Sequence, residues 1–301
     1  MTTAPTSTWI RLPDHLGDTV LALPALVALA ARGPCWVAGP RACRWVADTV
    51  VPPPGGPTPR TVDTAVLFKP AFRAVLQGPR CRRRVGLVGD HRWPGLDLAV
   101  VPSNHHRQHD LDRVATQAGA TPQGAPTLPE AHLGTPAAGV DVLLLPLSAT
   151  GTTVQWPGFR ALADRLHAHG WAVGFAAGPG EDGPLHAIAG PHRRLPALSL
   201  ADLAATTVAA RAVVGNDSGL THLAVAARRG AQRPTRAVIG ITGSTSEHRT
   251  GAPGATWLHG ARPPCWPCYR ATCPHGLACQ DLAVDVVLHA VLGALGPGPS
   301  P

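Results

Sequence analysis

A chain of 301 residues is longer than one ordinary domain and suits two of about 150 each. Hydrophobic residues make up 45% and charged residues 15%, which excludes global disorder and leaves apolar surface for real cores. The formal net charge of +8 favours anionic partners (nucleotides, nucleic acid or a phosphorylated membrane surface) without choosing among them.

Trp9–Leu12 is the first predicted strand, followed by the loop Pro13–Asp18. From Asp18, the natural N-cap, an apolar helix is expected, with Pro24 starting or kinking a turn inside it. Cys35–Ala38 reads as a second strand, Arg41–Thr49 as a second helix and Val51–Thr61 as a Pro/Gly loop. Thr64–Phe68 is a buried strand, Ala71–Gln77 a short helix, Leu98–Val101 a strand, and a helix runs from near His109 to Ala118. The arginines Arg80, Arg82, Arg83 and Arg84 read as solvated surface. No aromatic interleaving or recognised module accompanies them, so no nucleic-acid partner is expected. Lys69 and Arg73, near a strand end, are better placed for an anionic acceptor. Ala120–Gly139 has no period and is rich in Pro and Gly, which sets the expected domains at 1–135 and 136–301.

Alternation then resumes, with strands at Asp141–Leu145, Trp171–Ala177, Ala212–Gly215 and Ala237–Ile241. Helices are predicted at Pro157–His169, Pro184–Ala189 and Leu200–Ala209, from Leu220 onward, and at Leu282–Leu295. Repeated β-α alternation predicts α/β architecture, two doubly wound Rossmann-like halves with parallel sheets. Met1–Thr8 lacks the features of a signal peptide. The longest apolar stretches, Thr19–Ala31 and Leu282–Leu295, fall short of a bilayer span of about 20 residues. The expectation is a cytosolic protein whose seven cysteines stay reduced.

The chemistry concentrates at Ala210–Ala226, ARAVVGNDSGLTHLAVA. A strand that stops at Asn216-Asp217-Ser218-Gly219 and feeds straight into a helix leaves free N–H groups at the helix start. With the helix dipole they form a phosphate site. Asp217 and His222 lie beside it. The plainer reading is an ordinary turn capped by Asp217 or Ser218. Gly178–Gly183 fits G-x-G-x-x-G, but Pro184 follows and no acid ends the next strand, so a βα loop is expected over a dinucleotide site. Gly215–Gly219 misplaces its serine for a hydrolase elbow. Asp110-Leu111-Asp112 has a D-x-D form at a helix start, where capping is the simpler explanation and no catalytic metal is expected. Cys265, Cys268, Cys273 and Cys279 lie within fifteen residues, beside His275; by spacing they suit a structural zinc site or a loop of free or disulfide-bonded thiols.

Arg11–Leu26 (RLPDHLGDTVLALPAL) and Val213–Ala226 (VVGNDSGLTHLAVA) together resemble glycosyltransferase family 9, the ADP-heptose:lipopolysaccharide heptosyltransferases, through its LGD-x-V-x-x-x-P-A-L and DSG-x-x-H-L-A motifs. Trp156-Pro157 resembles the family's K-x-W-P segment, Gly243–Gly251 its G-P-T-x-P-x-R-x-G loop, and Cys265–Cys279 its cysteine-rich tail. The resemblance implies GT-B architecture: two Rossmann-like domains facing a cleft, with the acceptor on the first and the nucleotide-sugar donor on the second. It implies inverting transfer without a metal or other cofactor. Asp18 matches the catalytic base, and Asp217 and His222 the donor motif. Ser218, Gly219, Leu220 and Thr221 would offer N–H groups to the diphosphate. The expected donor is ADP-heptose and the acceptor an anionic lipid-linked saccharide, with peripheral contact at the inner face of the cytoplasmic membrane. The family lysine of K-x-W-P is Val154 here; Thr150, Thr152 and Thr153 would offer hydroxyls in its place and Arg249 charge, and Thr245 is also expected at the donor. Ser244 stands where the family has Pro. The alternatives are another donor or acceptor, a nucleotide-sugar-binding protein without turnover, and an NAD-binding oxidoreductase built on Gly178–Gly183.

Overall fold

The structure is a computed structural model that describes residues 6–69, 78–88, 96–178, 180–233 and 237–296. It divides into two compact units, Met1–Leu128 and Pro129–Pro301. The segment after Leu128 is tied to the second unit. Gly134 N donates to Ala201 O at 3.0 Å and Thr135 N to Asp202 Oδ1 at 2.8 Å.

The first unit carries β1 (Thr8–Arg11), β2 (Cys35–Ala38), β3 (Thr61–Leu67), β4 (Arg80–Leu87) and β5 (Leu98–Val100), in the order β2-β1-β3-β4-β5. Its helices are α1 (Leu16–Leu21), α2 (Leu23–Ala30), α3 (Arg41–Asp48) and α4 (Arg107–Gln117). The second carries β6 (Val142–Leu145), β7 (Val173–Phe175), β8 (Ala212–Asn216), β9 (Ala237–Thr242) and β10 (Thr256–His259), in the order β10-β9-β8-β6-β7. Its helices are α5 (Phe159–Ala168), α6 (Asp182–Ala189), α7 (Leu200–Ala209), α8 (Gly219–Gly230), α9 (Glu247–Thr250) and α10 (Val284–Leu295). The strand pairings are parallel. Numbered within its own unit, each sheet has the order 2-1-3-4-5. Its connections reverse direction between the first and third strands, and there a crevice opens at the carboxyl ends. The topology therefore points to the ends of β1 and β3 in one unit and of β6 and β8 in the other.

Parallel strands buried on both faces explain why most were legible as apolar runs. Ile10, Leu26, Val66, Phe68 and Leu111 share one core, while Trp9, Val62, Ala65 and Leu67 form a smaller cluster. Leu144, Phe159, Leu162, Val214, Ile239 and Val287 share the second unit's core. The arginine run is solvated as expected, but it stands on a strand that the sequence reading missed. Arg80–Arg84 is the first half of β4, a strand between β3 and β5, with Arg80, Arg82 and Arg83 exposed and only Val85, Gly86 and Leu87 buried. These arginines lie at the amino end of the strand, away from the ligand edge. β10, a half-exposed edge strand, and the short α9 also escaped the reading. The predicted Ala71–Gln77 helix lies outside the described residues.

Two helix starts also differ from expectation. α1 begins at Leu16 with His15 at its N-cap, so Asp18 stands inside the first turn rather than capping it. The apolar segment breaks at Ala22, and Pro24 sits in the first turn of α2, where a missing N–H costs nothing. Ala278–Leu295 is apolar enough by composition to cross a membrane, with mean hydropathy 1.5. Its helix is only Val284–Leu295, however, and Val287, Leu288, Val291 and Leu295 pack into the second unit's core.

Candidate functional site

In the first unit, the carboxyl end of β1 gathers charge. Asp14 pairs with Arg11 Nη2 at 2.5 Å and with Lys69 Nζ at 2.6 Å. Partial burial pushes the Asp14 carboxyl up, but the Lys69 and Arg11 hydrogen bonds and charges outweigh that and leave it below its ordinary value. Two cations on one carboxylate leave the crevice net positive. Lys69 is thus at the predicted edge, 47% exposed and engaged by Asp14. Arg73 lies outside the described residues. Asp18 faces Arg107 Nη2 at 3.4 Å, with a quarter of its side chain exposed. A carboxylate held beside a guanidinium at an open strand end can accept a proton from a bound hydroxyl. Arg107, the first residue of α4, carries no sequence signal, since the pair spans 89 positions.

In the second unit, β8 ends at Asn216 and α8 begins at Gly219, with Ser218 at the N-cap. The plain capping reading fails here. Ser218 makes no side-chain cap, and its buried hydroxyl oxygen has no hydrogen-bond partner among the described residues. The first N–H groups of α8 lack intrahelical partners by helix geometry and point the positive end of the dipole outward. Asp217 Oδ1 meets His222 Nε2 at 3.4 Å, and Thr250 Oγ1 donates to Asp217 Oδ2 at 2.8 Å. Burial raises the Asp217 carboxyl, but the His222 contact, with Thr245 and Thr250, overcomes it and holds the group ionised. His222 Nδ1 is likewise buried with no hydrogen-bond partner among the described residues. Buried polar atoms are seldom left so, and this pair, Ser218 Oγ and His222 Nδ1, at one helix start is what a ligand would satisfy.

Neighbouring segments are drawn to this turn by polar side chains. Asn216 Oδ1 accepts from Trp156 N at 3.0 Å and Asn216 Nδ2 donates to Pro146 O at 2.5 Å, fixing the Trp156-Pro157 segment beside β8. Thr221 spends its hydroxyl on Asn216 O at 2.6 Å, so only its N–H faces the turn. The Thr153 hydroxyl is buried, donates to Arg270 O and accepts from Ser244 Oγ at 3.0 Å, so it ties three loops together. Gly243 is required where it stands, because a Cβ there would collide with Thr153 O. Val154 is buried and supplies no charge, whereas Thr150 and Thr152 are exposed and Arg249 half-buried nearby in sequence to Thr250.

The remaining motifs resolve differently. α6 does open inside Gly178–Gly183, at Asp182, contrary to expectation. The loop is nonetheless occupied: Gly178 N donates to Glu181 Oε2 at 2.8 Å, filling with a carboxylate the place of an anion. The four cysteines Cys265, Cys268, Cys273 and Cys279 are free thiols lining one cavity of about 40 Å³. Among the described residues, however, no three His, Cys, Asp or Glu side chains are set to hold a metal ion.

The D-x-D segment is not a cap. His106 caps α4, its ring nitrogen accepting from Gln108 N, and Asp110 sits one turn in, fully buried and accepting from Ser103 N at 2.8 Å. Burial pushes the Asp112 carboxyl from 3.8 up to about 6, against one hydrogen bond from Gln108. A carboxyl whose folded value is raised binds its proton more tightly when folded, so stability falls as pH rises from about 4 to 6 and stays lower above. Asp112→Asn should therefore stabilise the protein at pH 7 by on the order of 1 kcal/mol, with the gain fading toward pH 4. Urea unfolding of both proteins at the two pH values checks this; a gain that does not change with pH would contradict it.

Two parallel α/β units with the same strand order, each with its polar residues at the switch-point edge, define a two-domain Rossmann-like protein of GT-B type. Solved structures agree on that fold. The E. coli ADP-heptose lipopolysaccharide heptosyltransferase II superposes with a TM-score of 0.70 at 17% identity, covering 96% of this chain and 98% of that one. The E. coli heptosyltransferase WaaC with ADP gives 0.69 at 14% identity, covering 96% and 99%. The sequence profile of glycosyltransferase family 9 (heptosyltransferase) matches residues 101–278. The chain belongs to that family. It is also 37% identical over 144 residues to lipopolysaccharide heptosyltransferase 1 of Pseudomonas aeruginosa, an alignment that covers 46% of this chain and 39% of that relative's length.

Proposed function

We propose that this protein is an inverting, metal-independent glycosyltransferase that moves a heptose from ADP-heptose to a lipopolysaccharide core-type acceptor. The observation that carries this reading is the start of α8, with uncapped N–H groups, an orphan Ser218 hydroxyl, and Asp217 and His222 beside them. The diphosphate of the donor takes the N–H groups of Gly219, Leu220 and Thr221. Asp18 removes the proton from the acceptor hydroxyl, and that oxygen forms its bond to the anomeric carbon as the bond to the diphosphate breaks. The pair of electrons leaves with ADP, whose new charge the helix start stabilises. Attack opposite the leaving group inverts the centre. The net positive crevice around Lys69 and Arg11 suits an anionic acceptor. The solved relative that carries ADP and the Pseudomonas relative named for lipopolysaccharide support the choice of donor and acceptor. We place the protein in the cytoplasm, with peripheral contact at the membrane that presents the acceptor.

Val154 favours a second reading, nucleotide-sugar binding without turnover, since its buried side chain supplies none of the charge of the family lysine. One experiment separates the two. Calorimetric titration with ADP and ADP-heptose tests the seat, and release of ADP from ADP-heptose with a heptose-free core acceptor tests turnover. Binding with release supports transfer, and binding without release supports the second reading. NAD binding without response to either nucleotide would overturn both.

A further inference from the structure

The segment between β10 and α10 carries four of the seven cysteines and is fastened at several points. Trp266 Nε1 donates to Gly243 O at 3.0 Å, the Cys268 amide to Ser244 O at 3.1 Å and Gln280 Nε2 to Thr152 O at 2.5 Å. The fastened loop brings Cys265, Cys268, Cys273 and Cys279 to the wall of one cavity of about 40 Å³. A cavity of that size holds only a few waters, so the thiols around it are neighbours. Cys279 is buried, Cys268 and Cys273 are half-buried and Cys265 is exposed.

Cys273 stands apart from the other three. Its sulfur accepts from the His275 amide at 3.3 Å. Gly276 and Leu277 follow with left-handed backbones, φ +81° and +61°, and turn the chain tightly beside that sulfur. The His275 and Leu277 amides, with the charge of Arg270, hold the Cys273 thiol below its ordinary value, whereas burial and the neighbouring sulfurs push Cys279 up.

We propose that Cys273 and Cys268 form a reversible thiol–disulfide modification site, with Cys273 the attacking sulfur and Cys268 the resolving one. The oxidant is a low-molecular-mass disulfide. The Cys273 thiolate attacks one of its sulfurs, forming a mixed disulfide and expelling a thiolate. Cys268 then gives up its proton, attacks the Cys273 sulfur and expels the second thiolate. The two protein thiols lose two electrons and two protons, and the small disulfide is reduced to two thiols. Cys268 is half open, shares the cavity and lies five residues before Cys273, so closing the ring costs little chain entropy. Cys279 is more buried and less readily ionised. The bond encloses Arg270, whose carbonyl accepts from Thr153, and so staples the segment that is fastened to the turn Gly243–Ser246.

The test uses the intact, reduced chain. It is alkylated with iodoacetamide at neutral pH and, separately, incubated with glutathione disulfide, and both products are mapped by mass spectrometry. The expected result is Cys273 alkylated about tenfold faster than Cys81, the half-buried thiol of β4, and a Cys268–Cys273 disulfide that dithiothreitol reverses. Cys268→Ser should stop with glutathione on Cys273, and Cys273→Ser should form no disulfide within the loop. Wild-type Cys273 that reacts no faster than Cys81 overturns the proposal, whether or not the variants fold. So does oxidised wild type in which Cys273 stays free, keeps glutathione, or pairs with Cys265 or Cys279. A copurifying metal ion that must be stripped before Cys273 reacts also overturns it.

Discussion

Asp18→Asn lowers turnover by about 10³-fold while ADP-heptose affinity stays within about twofold of wild type. The asparagine keeps the shape of the side chain in the first turn of α1 but cannot take a proton at neutral pH. A positioned general base contributes 10²–10⁴-fold, about what the substitution removes. Asp18 belongs to the first unit and the donor seat to the second, so the change removes the acceptor's proton sink and leaves the donor's contacts alone. Arg107, 3.4 Å from Asp18, fixes the carboxylate's orientation. Single-turnover ADP release, measured beside a calorimetric donor affinity, checks the split. Wild-type activity in the variant removes Asp18 from the base role, and a parallel fall in donor affinity would show that it acts in binding instead.

The parts of this molecule that could be read from sequence are those whose causes are local. Val142–Leu145 and Ala237–Thr242 are buried on both faces, so each appears as an unbroken apolar run. Asn216 to His222 sit within one turn of chain, and their strand-to-helix transition is written in consecutive residues. β4 was hidden because its exposed half is arginine and only three residues reach the core. Pairings across long separations left no trace. Thr250 meets Asp217 from 33 residues away, and Thr153 spends its hydroxyl on Arg270, 117 residues on.

Arg228→Met destabilises the protein by about 3 kcal/mol, although Arg228 touches no proposed ligand. The side chain is 2% exposed, in the last turn of the same helix whose first turn forms the donor seat. Its Nε donates to Thr207 O at 2.7 Å, Nη1 to Ala237 O at 2.5 Å and Nη2 to Ala210 O at 3.0 Å. Thr207 and Ala210 lie at the end of α7, whose last carbonyls have no partners within their own helix, and a cation there also suits the negative end of the dipole. Ala237 opens β9, so one guanidinium ties two helices and a strand. Methionine keeps the apolar stem and removes every donor, losing the hydrogen bonds to Thr207, Ala210 and Ala237 at about 1 kcal/mol each. Arg228→Lys restores the charge but not the planar fork that reaches three carbonyls at once, and recovers part of the loss. Urea unfolding gives the difference directly, provided the slope with denaturant is unchanged. A cost below about 1 kcal/mol would mean that water replaces the guanidinium at those carbonyls. The seat at the other end of α8 would then owe its geometry to the β8 turn alone.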